Sequence, residues 1–107
     1  MKNFTGLVLE NYKSDDLDVH ITASIVNGCL HISGQDLGPS VEEFWGDLDY
    51  EYYYDFTEKA TERLLRLLDG LEDPESALLK NFANSGTSKI SKFCDANNIP
   101  YRFYSYV

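Results

Sequence analysis

Chemistry in this chain would have to come from two histidines, two cysteines and a few groups of carboxylates. If the chain turns back at Asn27-Gly28, His20 and His31 share one face of a hairpin. His31 then lies opposite Ser24, four residues from His20. At about 3.3 Å per residue the two rings are roughly 13 Å apart, too far to share a metal with bonds of about 2 Å. Asp15-Asp16-Leu17-Asp18 has the acidic density of a calcium loop. It lacks the glycine at the sixth position and the distal glutamate of an EF-hand, and reads as a solvated turn. Gly34-Gln35-Asp36-Leu37-Gly38 carries neither the lysine nor the spacing of a phosphate loop. Its glycines are expected to supply positive φ where the hairpin leaves the sheet. Asp47, Asp49 and Glu51 offer carboxylates for acid–base work, but on a strand face expected to be exposed, a poor setting for tuning a proton donor. Cys29 and Cys94 stand far apart without metal-like partners and read as small, reduced, mostly buried side chains. No catalytic residue, metal or cofactor is expected.

The elements that must position these groups follow from periodicity. Phe4 to Tyr12 reads as a first strand, closed by Lys13-Ser14-Asp15-Asp16. Val19 to Val26 and Cys29 to Ser33 are β-rich runs joined by Asn27-Gly28, the preferred pair for a two-residue type I′ turn. That turn sets Ile25 opposite Leu30 and Ala23 opposite Ile32, with the apolar pairs on one face. Gly34 to Gly46 reads as a loop, with a short helix over Ser40–Trp45. Asp49 to Phe56 alternates, with Tyr50, Tyr52, Tyr54 and Phe56 inward and Asp49, Glu51, Tyr53 and Asp55 outward.

Helical spacing then takes over. Asp55 or Thr57 can cap a helix with the stripe Ala60, Leu64, Leu67 and Leu68, ended by Gly70. Asp73-Pro74 opens a second helix carrying Leu78, Leu79 and Phe82. A third carries Ile90, Phe93 and Cys94 and stops at Asn97-Asn98. Tyr101 to Val107 closes as a strand. Strands first and helices second indicate one α+β domain over residues 1–107. Its antiparallel sheet of about five strands carries two or three helices on one face.

The charge is unevenly placed. Up to Glu58 twelve acids face two lysines, a net of −10; after it seven bases face six acids, a net of +1. Such a field repels nucleic acid and anionic lipid and speeds encounter with basic partners. No apolar run approaches the roughly 20 residues of a membrane span. Met1-Lys2-Asn3-Phe4 opens without the apolar stretch of a signal peptide, and a cytoplasmic chain is expected.

What remains is a surface. Trp45, Asp47, the outward row Asp49, Glu51, Tyr53 and Asp55, and Tyr104 and Tyr106 of the last strand fall toward one side. Aromatic rings supply rigid contact area, and carboxylates fix register on a basic partner. In size, acidity and lack of catalytic apparatus the chain resembles the immunity proteins that bacteria keep against their own nuclease toxins. The likeness covers no motif. The run Leu30-His31-Ile32-Ser33-Gly34-Gln35-Asp36-Leu37-Gly38, with Asp49-Tyr50-Glu51-Tyr52, is also similar to small uncharacterised bacterial proteins. The resemblance implies an inhibitor, immunity protein or antitoxin, that occludes a basic protein as a monomer or homodimer. The alternative expectation is a regulatory or structural module that self-associates through an open sheet edge or through Tyr104 and Tyr106.

Overall fold

The computed structural model describes residues 2–39 and 49–106. Five strands run β1 Phe4–Lys13, β2 Asp18–Val26, β3 Cys29–Leu37, β4 Asp49–Asp55 and β5 Arg102–Tyr106. They form one antiparallel meander in the order β1-β2-β3-β4-β5. Three helices, α1 Glu58–Leu67, α2 Pro74–Phe82 and α3 Ser88–Ala96, fill the connection between β4 and β5. The α+β expectation holds. The short helix expected over Ser40–Trp45 lies outside the described residues.

The hairpin turn is as the sequence implies. Asn27 at φ 52° and Gly28 at φ 77° occupy the left-handed region, and β2 pairs with β3 in the expected register through Ile25–Leu30 and Ala23–Ile32. Ile21, Ala23, Ile25, Leu30 and Ile32 are fully buried and form the sheet's share of the core, with Tyr52, Tyr54 and Phe56 beside them. Burying aliphatic side chains of this size stabilises by roughly 1.5–3 kcal/mol each.

β3 does not stop at Ser33. It continues to Leu37, pairing with β2 on one side and β4 on the other, so the expected loop at Gly34–Leu37 is strand instead. Gly34 does not take positive φ; only Gly38, at φ 124°, does so in this stretch. The reason for glycine at 34 is steric. A Cβ there would lie 2.0 Å from Cε2 of Tyr52. The Tyr52 ring rests on the bare backbone of the neighbouring strand, and its hydroxyl donates to Asp36 Oδ1 at 2.8 Å.

β1 is less regular than its sequence suggests. Register shifts between Phe4 and Leu7 and between Val8 and Glu10 interrupt the alternation. Gly6, at φ 69°, donates its N–H to Ser24 Oγ at 3.0 Å.

The helices are anchored by polar bonds as well as by apolar contact. Thr57 caps α1 by accepting from Ala60 N–H at 3.1 Å, which leaves Asp55 to the sheet. The buried Thr61 hydroxyl accepts from Leu30 N–H at 2.9 Å and donates to Thr57 carbonyl at 2.8 Å. This bond holds α1 on the start of β3. The buried face of α1 is Ala60, Thr61, Leu64 and Leu65. Leu67, expected in the stripe, is 53 % exposed because it stands roughly a quarter turn from the centre of that face. Asp69, at φ 56°, turns the chain out of α1 one residue before the expected Gly70. Asp73 caps α2 by accepting from Ser76 N–H, with Pro74 in the first turn. α2 buries Ala77, Leu78 and Phe82 and leaves Leu79 exposed. α3 buries Ile90 and Cys94. Cys94 is a buried free thiol as expected, while Cys29 is a half-buried one beside the hairpin turn.

Gly34→Ala is expected to cost about 1–3 kcal/mol through overpacking against Tyr52, read as a lowered urea midpoint. In a Tyr52→Leu background the same substitution should cost much less, because the ring it meets is gone. An equal cost in both backgrounds would refute the close approach as its cause.

Candidate functional site

Strand alternation sends every second residue of β2, β3, β4 and β5 to the face away from the helices. Register brings these residues into rows. Ser24, His31, Asp55 and Arg102 make one; Thr22, Ser33, Tyr53 and Tyr104 the next; His20, Gln35, Glu51 and Tyr106 the third. Asp49, opposite Leu37, lies at the end of the same face. Six of the residues singled out in the sequence, Asp49, Glu51, Tyr53, Asp55, Tyr104 and Tyr106, therefore share one surface. Trp45 and Asp47 lie outside the described residues.

The aromatic part of this surface is a cluster. Tyr53 and Tyr104 stack with ring centroids 5.1 Å apart and planes 19° from parallel. Tyr106 meets both edge-on, 6.1 Å from Tyr53 and 6.0 Å from Tyr104. The guanidinium carbon of Arg102 sits 5.1 Å from the Tyr104 ring centre, within the range of a cation–π contact. Desolvation by neighbours and then the Glu51 carboxylate hold the Tyr53 phenol above its ordinary range. Tyr104 is raised in the same way, by desolvation and then by Asp55. Both phenols are neutral hydrogen-bond donors at physiological pH.

The carboxylates are held in place by neutral donors. Tyr53 hydroxyl donates to Glu51 Oε2 at 3.2 Å and Gln35 Nε2 donates to Asp49 Oδ1 at 3.2 Å. Asp55 Oδ1 instead accepts from His31 Nδ1 at 2.8 Å, which puts the ring proton on Nδ1. Among the described residues Arg66–Glu62 is an ion pair and His31–Asp55 is one only when the imidazole is protonated, and neither Asp49 nor Glu51 has a cation against it.

Ser24, His31 and Asp55 stand in line across three strands in the order of a hydroxyl, an imidazole and an acid. Ser24 Oγ, however, accepts from Gly6 N–H, and among the described residues no hydrogen bond joins it to His31. The pairing with Asp55 orients the imidazole. No grouping of three or more His, Cys, Asp or Glu side chains among the described residues can hold a metal ion. The Asp15-Asp16-Leu17-Asp18 turn is closed by Ser14, which bonds Leu17 through backbone and hydroxyl.

A second set of acids, on the helix side, was not apparent from sequence spacing. Asp36 and Glu10 approach each other there, with Tyr52 donating to Asp36. Glu10 Oε1 accepts from Gly86 N–H at 2.8 Å, and Asn84 N–H donates to Leu9 carbonyl at 2.9 Å. Tyr54 hydroxyl meets Thr87 Oγ1 at 3.0 Å. These bonds staple the α2–α3 turn to the sheet. Two of them link residues 76 and 33 apart in sequence, a separation that no local pattern encodes.

No protein-family model, curated protein or solved structure matches this chain. No helix among the described residues is long and apolar enough to cross a membrane.

Burial pushes the Asp36 carboxyl above its ordinary value of 3.8, Tyr52's hydrogen bond opposes this, and Glu10's charge adds to it. A raised acid favours its protonated form in the fold. Its contribution is therefore fully present below 3.8 and is lost as pH rises through the raised value. Asp36→Asn keeps an acceptor for Tyr52 and removes that loss. The stability difference between this variant and the parent, from urea midpoints at stepped pH, should move in the variant's favour from about pH 4 upward. A pH-independent difference would contradict the burial argument.

Proposed function

We propose that this chain is a non-catalytic binding protein of the immunity or antitoxin type, acting in the cytoplasm by occluding a basic partner such as a nuclease toxin. The observation that carries this reading is the outward sheet face, where Asp49 and Glu51 stand beside a stacked tyrosine cluster and no cation among the described residues is paired with them. Uncompensated carboxylates repel one another and raise the local negative potential, which steers a basic protein toward the face. Rigid rings then supply contact area at little entropic cost, since a stacked tyrosine has few rotamers left to lose. The acidic excess of the first 58 residues, net −10, extends the same field. Trp45 and Asp47 belong to this proposal through their sequence alone.

A second reading has one observation in its favour. β5 is an edge strand of the sheet among the described residues, and Phe103 and Tyr106 on it are 48 % and 59 % exposed. Such an edge can pair with another copy of itself, which would make the chain a self-associating regulatory or structural module. Light scattering separates the two readings, since edge pairing gives a dimer that persists in high salt.

The direct test is affinity capture from the native organism's lysate with the immobilised protein, using the parent and an Asp49→Lys/Glu51→Lys variant side by side. A basic protein held by the parent should associate with the variant at least about tenfold more slowly at low salt. The rate should also depend less on salt, while the thermal midpoint stays within a few degrees. Equal association rates would remove these carboxylates from the interface.

A further inference from the structure

The outward face is not flat. Between β2 and β4 it dips into a depression of about 280 Å³ lined by His20, Thr22, Ser33, Gln35, Glu51 and Tyr53 over the backbone at Gly34. We infer that this depression is the seat for a single arginine side chain of the basic partner, its guanidinium lying on the Tyr53 ring and bonding Glu51. The inference rests on the binding role proposed above and names the group that role recognises.

The depression arises from the sizes of side chains in one row. Ser33 is short and stands between Thr22 and Tyr53 in the register. The Tyr53 ring has two faces. Tyr104, its neighbour on β5, covers one at 5.1 Å in a nearly parallel stack. Tyr104 stands on the β5 side of Tyr53, and Tyr53 lines the depression together with Ser33 of β3. A volume near 280 Å³ is below the roughly 300–1,000 Å³ of sites for drug-sized molecules, and suits one side chain.

The polar lining combines one carboxylate, Glu51, with two hydroxyls, an amide and the His20 imidazole. Glu51 brings a carboxylate with no cation among the described residues against it, spending one oxygen on the Tyr53 hydroxyl. Gln35 gives its amide N–H to Asp49, which leaves its carbonyl oxygen to accept. Thr22 and Ser33 add hydroxyl oxygens. Of the cationic side chains, Arg102 belongs to a different row and is already placed over Tyr104. That contact shows that this aromatic stack takes a guanidinium over its end ring. The Tyr53 face is the opposite end of the same stack.

Arginine fits this setting better than lysine. A planar guanidinium can stack on the ring and still direct two N–H groups at a carboxylate, whereas an ammonium is a compact, strongly hydrated point charge. A neutral isostere would keep the shape and lose the charge.

Three short capped peptides differing only at one residue, arginine, lysine or citrulline, are the probes. Each is titrated into the 15N-labelled full chain at low salt, with amide shifts followed at Thr22, Ser33, Gln35 and Glu51. The arginine peptide should shift these four together and bind at least about fivefold more tightly than either other peptide. Glu51→Gln should abolish that preference while leaving the rest of the spectrum in place, and Tyr53→Leu should weaken it. Equal binding of arginine and lysine peptides, with shifts spread along Asp49–Asp55, would overturn the seat while leaving the acidic binding face intact. Equal binding of citrulline would also overturn it, pointing to a neutral polar solute. No shift with any peptide overturns the seat alone, and the binding role fails separately if lysate capture retains no basic protein.

Discussion

Much of this molecule depends on one register, fixed where β2 turns into β3. Asn27 and Gly28 both take left-handed backbone, which matches the natural twist of the strands they join. A slip of one residue would send Ile21, Ala23 and Ile25 outward and bury His20, Thr22 and Ser24 in their place. β4 inherits its own register from β3, so the same turn decides that Tyr52 meets Gly34 and that Asp55 meets His31. β5 inherits it in turn, and the alignment of Tyr53 with Tyr104 follows from a turn more than twenty residues upstream of Tyr53.

The three helices among the described residues that fill the connection between β4 and β5 are held to the inner face of the sheet by Thr61, by Glu10 with Gly86, and by Tyr54 with Thr87. Each of these bonds satisfies a polar group that packing would otherwise strand, at a cost of about 1–3 kcal/mol if left unmade. No buried side-chain nitrogen or oxygen among the described residues lacks a partner. The outer face, by contrast, is organised by its own side chains, and its rings and carboxylates brace one another across strands.

Sequence reading recovered what is encoded over short distances. The Asn27-Gly28 turn, the inward Tyr52 and Tyr54, the Asp73-Pro74 start of α2 and the sharing of a face by Glu51, Tyr53 and Asp55 all follow from period-two or period-3.6 patterns and local capping chemistry. It misread Gly34 because a glycine in sequence signals a turn, whereas here its missing Cβ makes room for a ring one strand away. It placed Leu67 in the core because seven-residue spacing from Ala60 keeps a side chain near the stripe, without saying where the stripe is centred. The bulges in β1 and the His31–Asp55 bond depend on partner strands distant in sequence. The depression over Ser33 was invisible for the same reason: it is a difference in side-chain size across three strands.

The character of the outer face bears on whether its acidity serves only to keep the chain in solution. Solubility is met by mobile charges of both signs scattered over a surface, and α1 has that pattern, with Glu62 paired to Arg66 one turn on. On the outer face of the sheet Asp49 and Glu51 are placed differently. They accept from neutral donors, Gln35 for Asp49 and Tyr53 for Glu51, which fix their direction without cancelling their charge. The tyrosines of this face pack on one another by stacking and edge contacts, which narrows the rotamers open to each and lowers the cost of ordering them on binding. This contrast with α1 is the physical basis of the binding role proposed above.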